Sequence, residues 1–196
     1  MKEYKIKNIL VPTDFSETAN NAMKTTVAMA QRHKATLHLI NCISPLLVER
    51  PLDFKNVVPG INNFIYKITE KDLTGLKEEI EKKYSFPVVM KVEIGAVPES
   101  VKNYIDTYSI DIVVMGAHGV SGWKDLFIGS NTMEVIKKST CPVLSIPNSF
   151  SKRKFDKVLC PMREVIGVVE KYNYLEPILE KNDSSVHLLV LNKFNF

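Results

Sequence analysis

Four small residues near the middle of the chain have the spacing of a ligand-binding loop. Gly116 and Gly119 follow an apolar run, and nine residues later Gly129 and Ser130 precede a helical pattern. Glycines after a strand let a ligand approach the backbone, and a helix N-terminus offers unpaired N–H groups and a positive dipole end to an anion. Ser130 could both cap that helix and bond a phosphate oxygen. Either pair alone is more typical of a turn or a cap, but together they indicate a nucleotide site.

Other side chains in this loop invite chemical roles that the sequence leaves open. His118 could contact a terminal phosphate or simply be solvated, and Lys124 is the only basic residue in the loop. Trp123 and Phe127 are expected to pack over the site or at a subunit contact rather than stack on a base. The loop lacks the Gly-Lys-Ser/Thr ending of a Walker P-loop, and no nucleophile–base pair is visible. We therefore expect binding rather than turnover, with any hydrolysis slow.

Alternating strand and helix patterns must position this loop. The alternation favours parallel strands with right-handed crossovers. Asp14 and Ser16 can both cap the first helix, and Ser44–Gly60 favours a long crossover over a lid. Inward positions predicted for the second helix are Ile65, Ile68, Leu76 and Ile80. The predicted strands are Ile6–Pro12, Thr36–Cys42, Val88–Val92, Ile110–Val114 and Val143–Ile146, and the predicted helices are Ser16–Arg32, Asn62–Tyr84, Pro98–Tyr108 and Asn131–Lys138.

The pattern Gly116-x2-Gly119-x9-Gly129-Ser130 resembles the signature of the universal stress protein family, in its ATP-binding branch. Asn8–Glu17 resembles the first strand and the Asp-bearing turn of that family, and Leu37–Ile40 resembles its second strand. Cys141–Ile146 resembles its last strand. The resemblance spans roughly residues 5–147.

The resemblance implies a doubly wound, Rossmann-like α/β fold with a parallel five-stranded sheet in the order 3-2-1-4-5, of the adenine nucleotide alpha hydrolase-like type. It also implies ATP or AMP as ligand, with Mg²⁺ a candidate companion of ATP, and dimerisation. The backbone near Leu39 and the Thr13–Asp14 turn would hold adenine and ribose, and the glycine loop would hold the phosphates. No catalytic or metal-ligating residue is assigned. The expected nucleotide-binding residues are Pro12, Thr13, Asp14, Leu39, Met115, Gly116, His118, Gly119, Gly129, Ser130 and Asn131.

Composition narrows the class of protein. The 196 residues are 45% hydrophobic and 24% charged, with a net charge of +4, which is ordinary for a soluble domain and gives no argument for nucleic-acid binding. Cys42, Cys141 and Cys160 follow no metal or redox spacing, and we interpret them as small buried side chains in a reducing cytoplasm. Neither a signal peptide nor a membrane span is apparent, so a cytoplasmic location is expected.

The sequence then begins to repeat itself. Lys157–Met162 resembles Asn8–Thr13, and Val186–Leu188 resembles Leu37–Leu39, both at an offset of 149 residues. Such a shared offset indicates an internal duplication. We therefore divide the chain into a domain at 1–148, a linker at 149–154 and an incomplete second repeat at 155–196. Val165–Lys181 takes the place of the first helix.

The second repeat is not expected to bind nucleotide. Arg163 stands where the first repeat has Asp14, and no glycine loop follows. Two strands and a helix leave an unpaired edge. Either the chain is a shortened tandem protein, which we favour, or the remnant is completed by another subunit. Its apolar residues predict that it docks rather than trails free.

Partners and competing functions follow from the same patterns. Val143–Ile146 is expected to be an edge strand and to pair two chains across a two-fold axis, while any downstream protein partner is unknown. A nucleotide-free dimeric stress scaffold is the alternative to a nucleotide-binding protein. A flavodoxin-like carrier is a third possibility, but Thr13–Ser16 lacks the hydroxyl and glycine run that would wrap a flavin phosphate.

Overall fold

The protein is described by a computed structural model that covers residues 4–44, 61–117, 128–163 and 168–191. Its main body is a parallel sheet in the order β3-β2-β1-β4-β5, so the predicted fold class is confirmed. The elements of this body are β1 (Asn8–Pro12), α1 (Glu17–His33), β2 (Thr36–Ile43), α2 (Ile61–Tyr84), β3 (Val88–Ile94), α3 (Val97–Tyr108), β4 (Ile112–Gly116), α4 (Ser130–Lys138) and β5 (Val143–Ile146).

Two apolar layers enclose the sheet because its strands are hydrophobic on both faces. One layer joins Ile9 and Val11 of β1 to the small residues of α1 and to Leu73 and Ile80 of α2. The other joins Leu10 of β1 to α3 and α4. The helices therefore lie in pairs on opposite faces, as a doubly wound sheet requires.

Helix α1 begins and ends at residues suited to those positions. The Ser16 hydroxyl accepts a hydrogen bond from the Ala19 N–H at 3.2 Å, so the predicted Ser16 cap is confirmed. Lys34 closes the helix in the left-handed conformation, with a φ of 53°. Helix α3 carries Pro98 in its first turn, where its missing N–H costs nothing.

One inward position predicted for the second helix is wrong. Ile68 is 44% exposed, whereas Leu73 is fully buried and takes the central place against the sheet. Ile65 and Leu76 are partly buried and Ile80 is buried, as predicted. With 3.6 residues per turn, Ile68 lies at the margin of the helix face that the sheet covers, whereas Leu73 lies within that face.

A smaller unit follows at β6 (Lys157–Arg163), α5 (Val168–Asn182) and β7 (Ser185–Leu191). Lys157 of β6 pairs with Ser185 of β7, just as Asn8 pairs with Thr36 in the first sheet, so the two pairs share the offset that the duplication predicts. The structure describes this helix from Val168, and its predicted start at Val165 lies outside the described residues.

The small unit is docked on the main body through α5. Ile178 belongs to the buried cluster that also contains residues of α1 and α2, and the Tyr174 ring packs edge to face on Tyr4, with 4.8 Å between the ring centroids. Arg153 in the linker donates to the Thr25 hydroxyl of α1 at 3.4 Å. The prediction that this segment docks is thus confirmed for its helix, while its strands stay largely exposed.

Candidate functional site

A cavity of about 360 Å³ opens at the carboxyl ends of β1 and β4. The strand order reverses between these two strands, which is where open α/β sheets bind ligands. The side chains and backbone come from the turn after β1, from β2 and α3, and from the first turn of α4. The described lining residues are Pro12, Thr13, Asp14, Ala19, Ile40, Cys42, Val97, Met115, Gly116, Gly129, Ser130, Asn131 and Thr132.

The turn after β1 is held rigidly by short-range bonds. The Thr13 N–H donates to the Ile40 carbonyl at 2.9 Å, and the Thr13 hydroxyl accepts from the Phe15 N–H at 3.1 Å. The Asp14 carboxylate accepts from the Ser16 N–H at 3.0 Å. Phe15 has a φ of 60°, a strained conformation for a bulky residue. These bonds fix the exposed Asp14 carboxylate at the cavity mouth.

The opposite wall connects β4 to α4. The Ala117 carbonyl accepts from the Gly129 N–H at 2.7 Å, and the Thr132 hydroxyl donates to the Gly116 carbonyl at 2.9 Å. Both bonds lock the start of α4 beside the end of β4. The helix N-terminus therefore has a fixed position at the cavity.

Gly129, not Ser130, is the N-cap of α4. Gly129 is extended with a ψ of 151° and makes no side-chain cap bond, and the helix begins at Ser130. The expectation that Ser130 caps the helix is therefore wrong. The first-turn N–H groups of Ser130, Asn131 and Thr132 have no acceptor within the helix, and these residues line the cavity. An anion would be stabilised there.

The glycine at position 116 has a packing reason that the sequence did not show. A Cβ at Gly116 would lie 2.6 Å from Thr18 Cγ2 and 3.1 Å from the Thr18 backbone. The close approach comes from α1 crossing the end of β4. Gly116 is therefore required by the fold itself, whatever a ligand also gains from the open backbone.

Apolar side chains that sequence reasoning missed form the inner wall. Ile40 and Cys42 alternate along one face of β2, and Val97 begins α3 beside them. Burial raises the pKa of the Cys42 thiol to about 11, so this thiol is neutral and unreactive at ordinary pH. The two-residue period of a strand could have identified Ile40 and Cys42, given which face holds the site.

Most of the predicted binding residues meet at this cavity. The side chain of Leu39 does not line it, because that side chain is fully buried in the core on the other face of β2; the predicted contact of a ligand with the backbone near Leu39 stays a prediction. His118 and Gly119 lie outside the described residues, as do Trp123, Lys124 and Phe127. The predicted residues that line the cavity are Pro12, Thr13, Asp14, Met115, Gly116, Gly129, Ser130 and Asn131.

The arrangement is suited to holding a ligand that is anionic at one end and apolar at the other. Asp14 is the one ionisable acid among the described lining residues, which include no Lys, Arg or His. His38 serves the core instead, with Nδ1 3.1 Å from the Tyr104 hydroxyl, and burial lowers its pKa. The described part of the site thus contains no pair suited to proton transfer.

No described helix has the length and apolar character needed to cross a bilayer. Among the same residues, no group of three or more His, Cys, Asp or Glu side chains is placed to hold a metal ion.

Comparisons with known proteins agree on one family. A family model described as the universal stress protein family matches residues 5–147. The universal stress protein MJ0577 of Methanocaldococcus jannaschii is 31% identical over 153 residues, which cover 71% of this chain and 94% of that protein. A solved structure of MJ0577 superposes with a TM-score of 0.61 at 32% identity, covering 76% of this chain and 100% of that one.

Two more distant structures share the fold. A universal stress protein from Archaeoglobus fulgidus superposes with a TM-score of 0.73 at 17% identity. The match covers 95% of this chain and 66% of that one. A universal stress protein solved in complex with cAMP gives a TM-score of 0.54 at 20% identity, covering 74% of this chain and 99% of that one.

Proposed function

The chain belongs to the universal stress protein family, and from this membership we propose that its cavity binds an adenine nucleotide, ATP or AMP, in a regulatory stress-response role. One observation carries the proposal. The first turn of α4, with Ser130 and Asn131, lines the same cavity as the apolar Ile40, Val97 and Met115. Phosphates and a planar base need these two environments side by side.

The nucleotide would lie across the cavity from the inner wall to α4. The base would contact Ile40, Val97 and Met115, and the ribose would approach the Asp14 carboxylate. The phosphates would accept hydrogen bonds from the first-turn N–H groups at Ser130 and Asn131. A volume of about 360 Å³ is at the lower end of the range for small-molecule sites, roughly 300–1,000 Å³.

Mg²⁺ is a suitable companion for ATP at this site. The described lining residues include no cationic side chain to offset the phosphate charge, and Asp14 supplies the carboxylate among them. A hydrated Mg²⁺ usually binds through one or two carboxylates and the phosphates themselves. Asp14 could bond such an ion through a water molecule. AMP, with less charge, would need no ion.

We infer binding rather than robust catalysis. The described cavity residues include no nucleophile with an adjacent base, and the Cys42 thiol is held neutral. Nucleotide occupancy would then act by changing a contact with a partner. The cAMP complex of a universal stress protein supports an adenine ligand through the shared fold alone.

The three free cysteines support the proposal that the protein is located in a reducing cytoplasm.

We also propose a division of the chain into repeats and a contact between two chains. Residues 155–196 would be part of a second universal stress protein repeat, joined by a linker at 149–154, that does not bind nucleotide. Two chains would pair through β5, which is an edge of the main sheet. Pairing would add a strand to an edge that natural proteins normally cover or protect.

Mass spectrometry of small molecules released from the purified, denatured protein tests the ligand class directly. We expect ATP or AMP, and calorimetry on the emptied protein should show tighter binding of ATP than of inorganic triphosphate, because the base adds apolar contact. Release of a flavin would contradict the proposal. No bound nucleotide, together with no heat on adding ATP or AMP, would favour the nucleotide-free scaffold.

A further inference from the structure

A buried amide interrupts the apolar row that β2 presents to the main core. Asn41 lies between Leu39 and Ile43 in this row and is 8% exposed. Its Nδ2 donates a hydrogen bond to the Thr13 carbonyl at 2.8 Å. A buried amide is unfavourable unless it is hydrogen-bonded, and a β-branched apolar residue would suit the strand without that requirement. The packing of the core therefore does not explain an asparagine here, whereas the bond to Thr13 gives it a role.

This bond lies at the point where the pairing of β1 with β2 stops. The Thr13 N–H donates to the Ile40 carbonyl at 2.9 Å, and the next bond of a parallel ladder would run from the Cys42 N–H to the Thr13 carbonyl. That bond is absent from the described backbone, and the last pair of the ladder is Pro12 with Ile40. The Asn41 side chain occupies the Thr13 carbonyl instead.

The second repeat contains the same two strands without the amide. The 149-residue offset relates Asn41 to Val190. In the second repeat, the pairing of β6 with β7 continues for two residues beyond the position at which β1 and β2 part. The two further pairs are Met162 with Val190 and Arg163 with Leu191. The ladder therefore continues where a valine stands in place of the asparagine.

The early end of the first ladder shapes the candidate site. Thr13 and Cys42 both line the cavity of about 360 Å³, so a backbone bond between them would draw the turn after β1 towards β2 and narrow the cavity. The Asn41 side chain itself points to the opposite face of β2 from Ile40 and Cys42, because side chains alternate along a strand. Asn41 can therefore act on the cavity only through Thr13.

We propose that Asn41 is a positioning residue that ends the pairing of β1 with β2 and holds the Thr13 turn apart from Cys42, so that the cavity stays open beside its apolar wall. This inference rests on the proposed nucleotide function and extends it to a side chain that does not touch the ligand. It also explains why strand pairing continues further in the repeat that is not expected to bind nucleotide.

Calorimetry of the full chain tests this role with Asn41→Val, which gives the first repeat the residue of the second. Valine favours a strand, so the variant should fold, and circular dichroism checks that it does. We expect the affinity for ATP to fall by about tenfold or more, because the base and ribose lose room. The affinity for inorganic triphosphate should be unchanged, because α4 would hold the phosphates. A general loss of stability would not separate these two ligands.

Asn21→Ala is the matched control. The Asn21 Nδ2 also donates to backbone carbonyls, those of Pro147 at 3.1 Å and Phe150 at 2.8 Å. Asn21 is not among the described residues that line the cavity. This variant loses a comparable amide contact and should bind ATP as the wild type does.

Hydrogen exchange followed by NMR reads the strand pairing without any ligand. The Cys42 amide should exchange more slowly in Asn41→Val than in the wild type, because the freed Thr13 carbonyl becomes its acceptor. Unchanged exchange at Cys42 would overturn the proposal, and so would equal ATP affinity of Asn41→Val and a wild type that binds ATP. If the wild type bound no nucleotide, the proposed function would fail, and exchange at Cys42 would still decide whether Asn41 ends the ladder.

Discussion

At Gly116, the end of β4 and the first turn of α1 approach so closely that no side chain fits. Thr18 Cγ2 and the Thr18 backbone occupy the space that a Cβ would need, and the Gly116 carbonyl accepts from Thr132. The glycine thus positions both walls of the cavity before any ligand arrives. The sequence pattern correctly placed Gly116 at the end of a strand, but the packing that requires a glycine there depends on Thr18, which lies 98 residues earlier in the chain.

Gly116→Ala is expected to destabilise the fold without any ligand present. The new methyl group would meet Thr18 at 2.6 Å, and overpacking of this kind costs typically 1–3 kcal/mol. Denaturant unfolding measures the change. Gly75→Ala is the control, because nothing lies within 4 Å of that position in α2, and alanine should stabilise a helix interior by roughly 0.5–1 kcal/mol. Equal stability of the wild type and Gly116→Ala would refute the packing argument.

His33 makes the stability of the fold depend on pH. Its pKa is lowered from 6.5 to about 4, first by burial and then by the charges of Arg32 and Lys181. Nε2 of His33 has no hydrogen-bond partner among the described residues. Between pH 6.5 and about 4 the unfolded chain therefore binds more protons at this site than the folded chain. This contribution to stability is present above pH 6.5 and is lost as the pH falls towards 4.

His33→Gln should make the free energy of unfolding less dependent on pH across that window. Denaturant unfolding at a series of pH values measures the slope, and the exposed His187→Gln gives a control that removes a histidine elsewhere. A slope that is the same in the His33→Gln variant and the wild type would contradict the assignment. Because His33 is only partly buried, solvent screens part of its interaction with the charges of Arg32 and Lys181.

At the scale of elements, periodicity predicted the strands and the helices, and their alternation predicted parallel pairing, whereas the strand order was predicted from the family resemblance. The same reasoning was less successful with helix faces. Ile68 was expected inward and is exposed, whereas Leu73 holds that place. It also missed Ile40, Cys42 and Val97, since a strand pattern shows two faces without saying which one reaches the site. The apolar residues of α5 predicted that it docks, but they did not predict that it docks beside α1.

Ile178→Asp should release α5 from the main body. Ile178 is 9% exposed within the main core cluster, and an unpaired carboxylate there would be strongly unfavourable. We expect faster amide exchange across α5 and a rise in the pKa of His33, followed by NMR, as burial and the Lys181 charge are removed. Tyr172→Asp, at a 44% exposed position on the same helix, should change neither. If His33 titrated identically in wild type and Ile178→Asp, docking would not be what lowers its pKa.

For the whole molecule, the proposed contact between copies of the chain lies at β5, one edge of the main sheet. The main sheet ends at β5, whose Leu144 is partly buried against the core. Family resemblance predicted dimerisation, and the expected edge position of Val143–Ile146 assigned the contact to this strand, but no feature of the sequence fixes an oligomer by itself. Geometry between chains depends on both partners, and one chain supplies half of that information.

Leu144→Lys should remove the β5 contact. A lysine on this four-residue edge strand opposes pairing by charge repulsion across the two-fold axis. Sedimentation should show one step of association lost relative to wild type, while circular dichroism reports that the subunit remains folded. Ile68→Lys, at a 44% exposed position on α2, serves as the control. Unchanged assembly of a folded Leu144→Lys chain would place the contact elsewhere.

Calorimetry of ATP binding to Asn131→Asp tests most directly whether α4 receives the phosphates. A carboxylate in the first turn should stabilise the helix by about 0.3–1 kcal/mol, yet repel a phosphate bound at the same N–H groups. We predict unchanged or higher stability together with an ATP affinity lowered by about tenfold or more, and a smaller loss for AMP. Asn148→Asp, an exposed change outside the cavity lining, should bind ATP as the wild type does. Equal ATP affinity in all three proteins would contradict the assignment of α4 as the phosphate site.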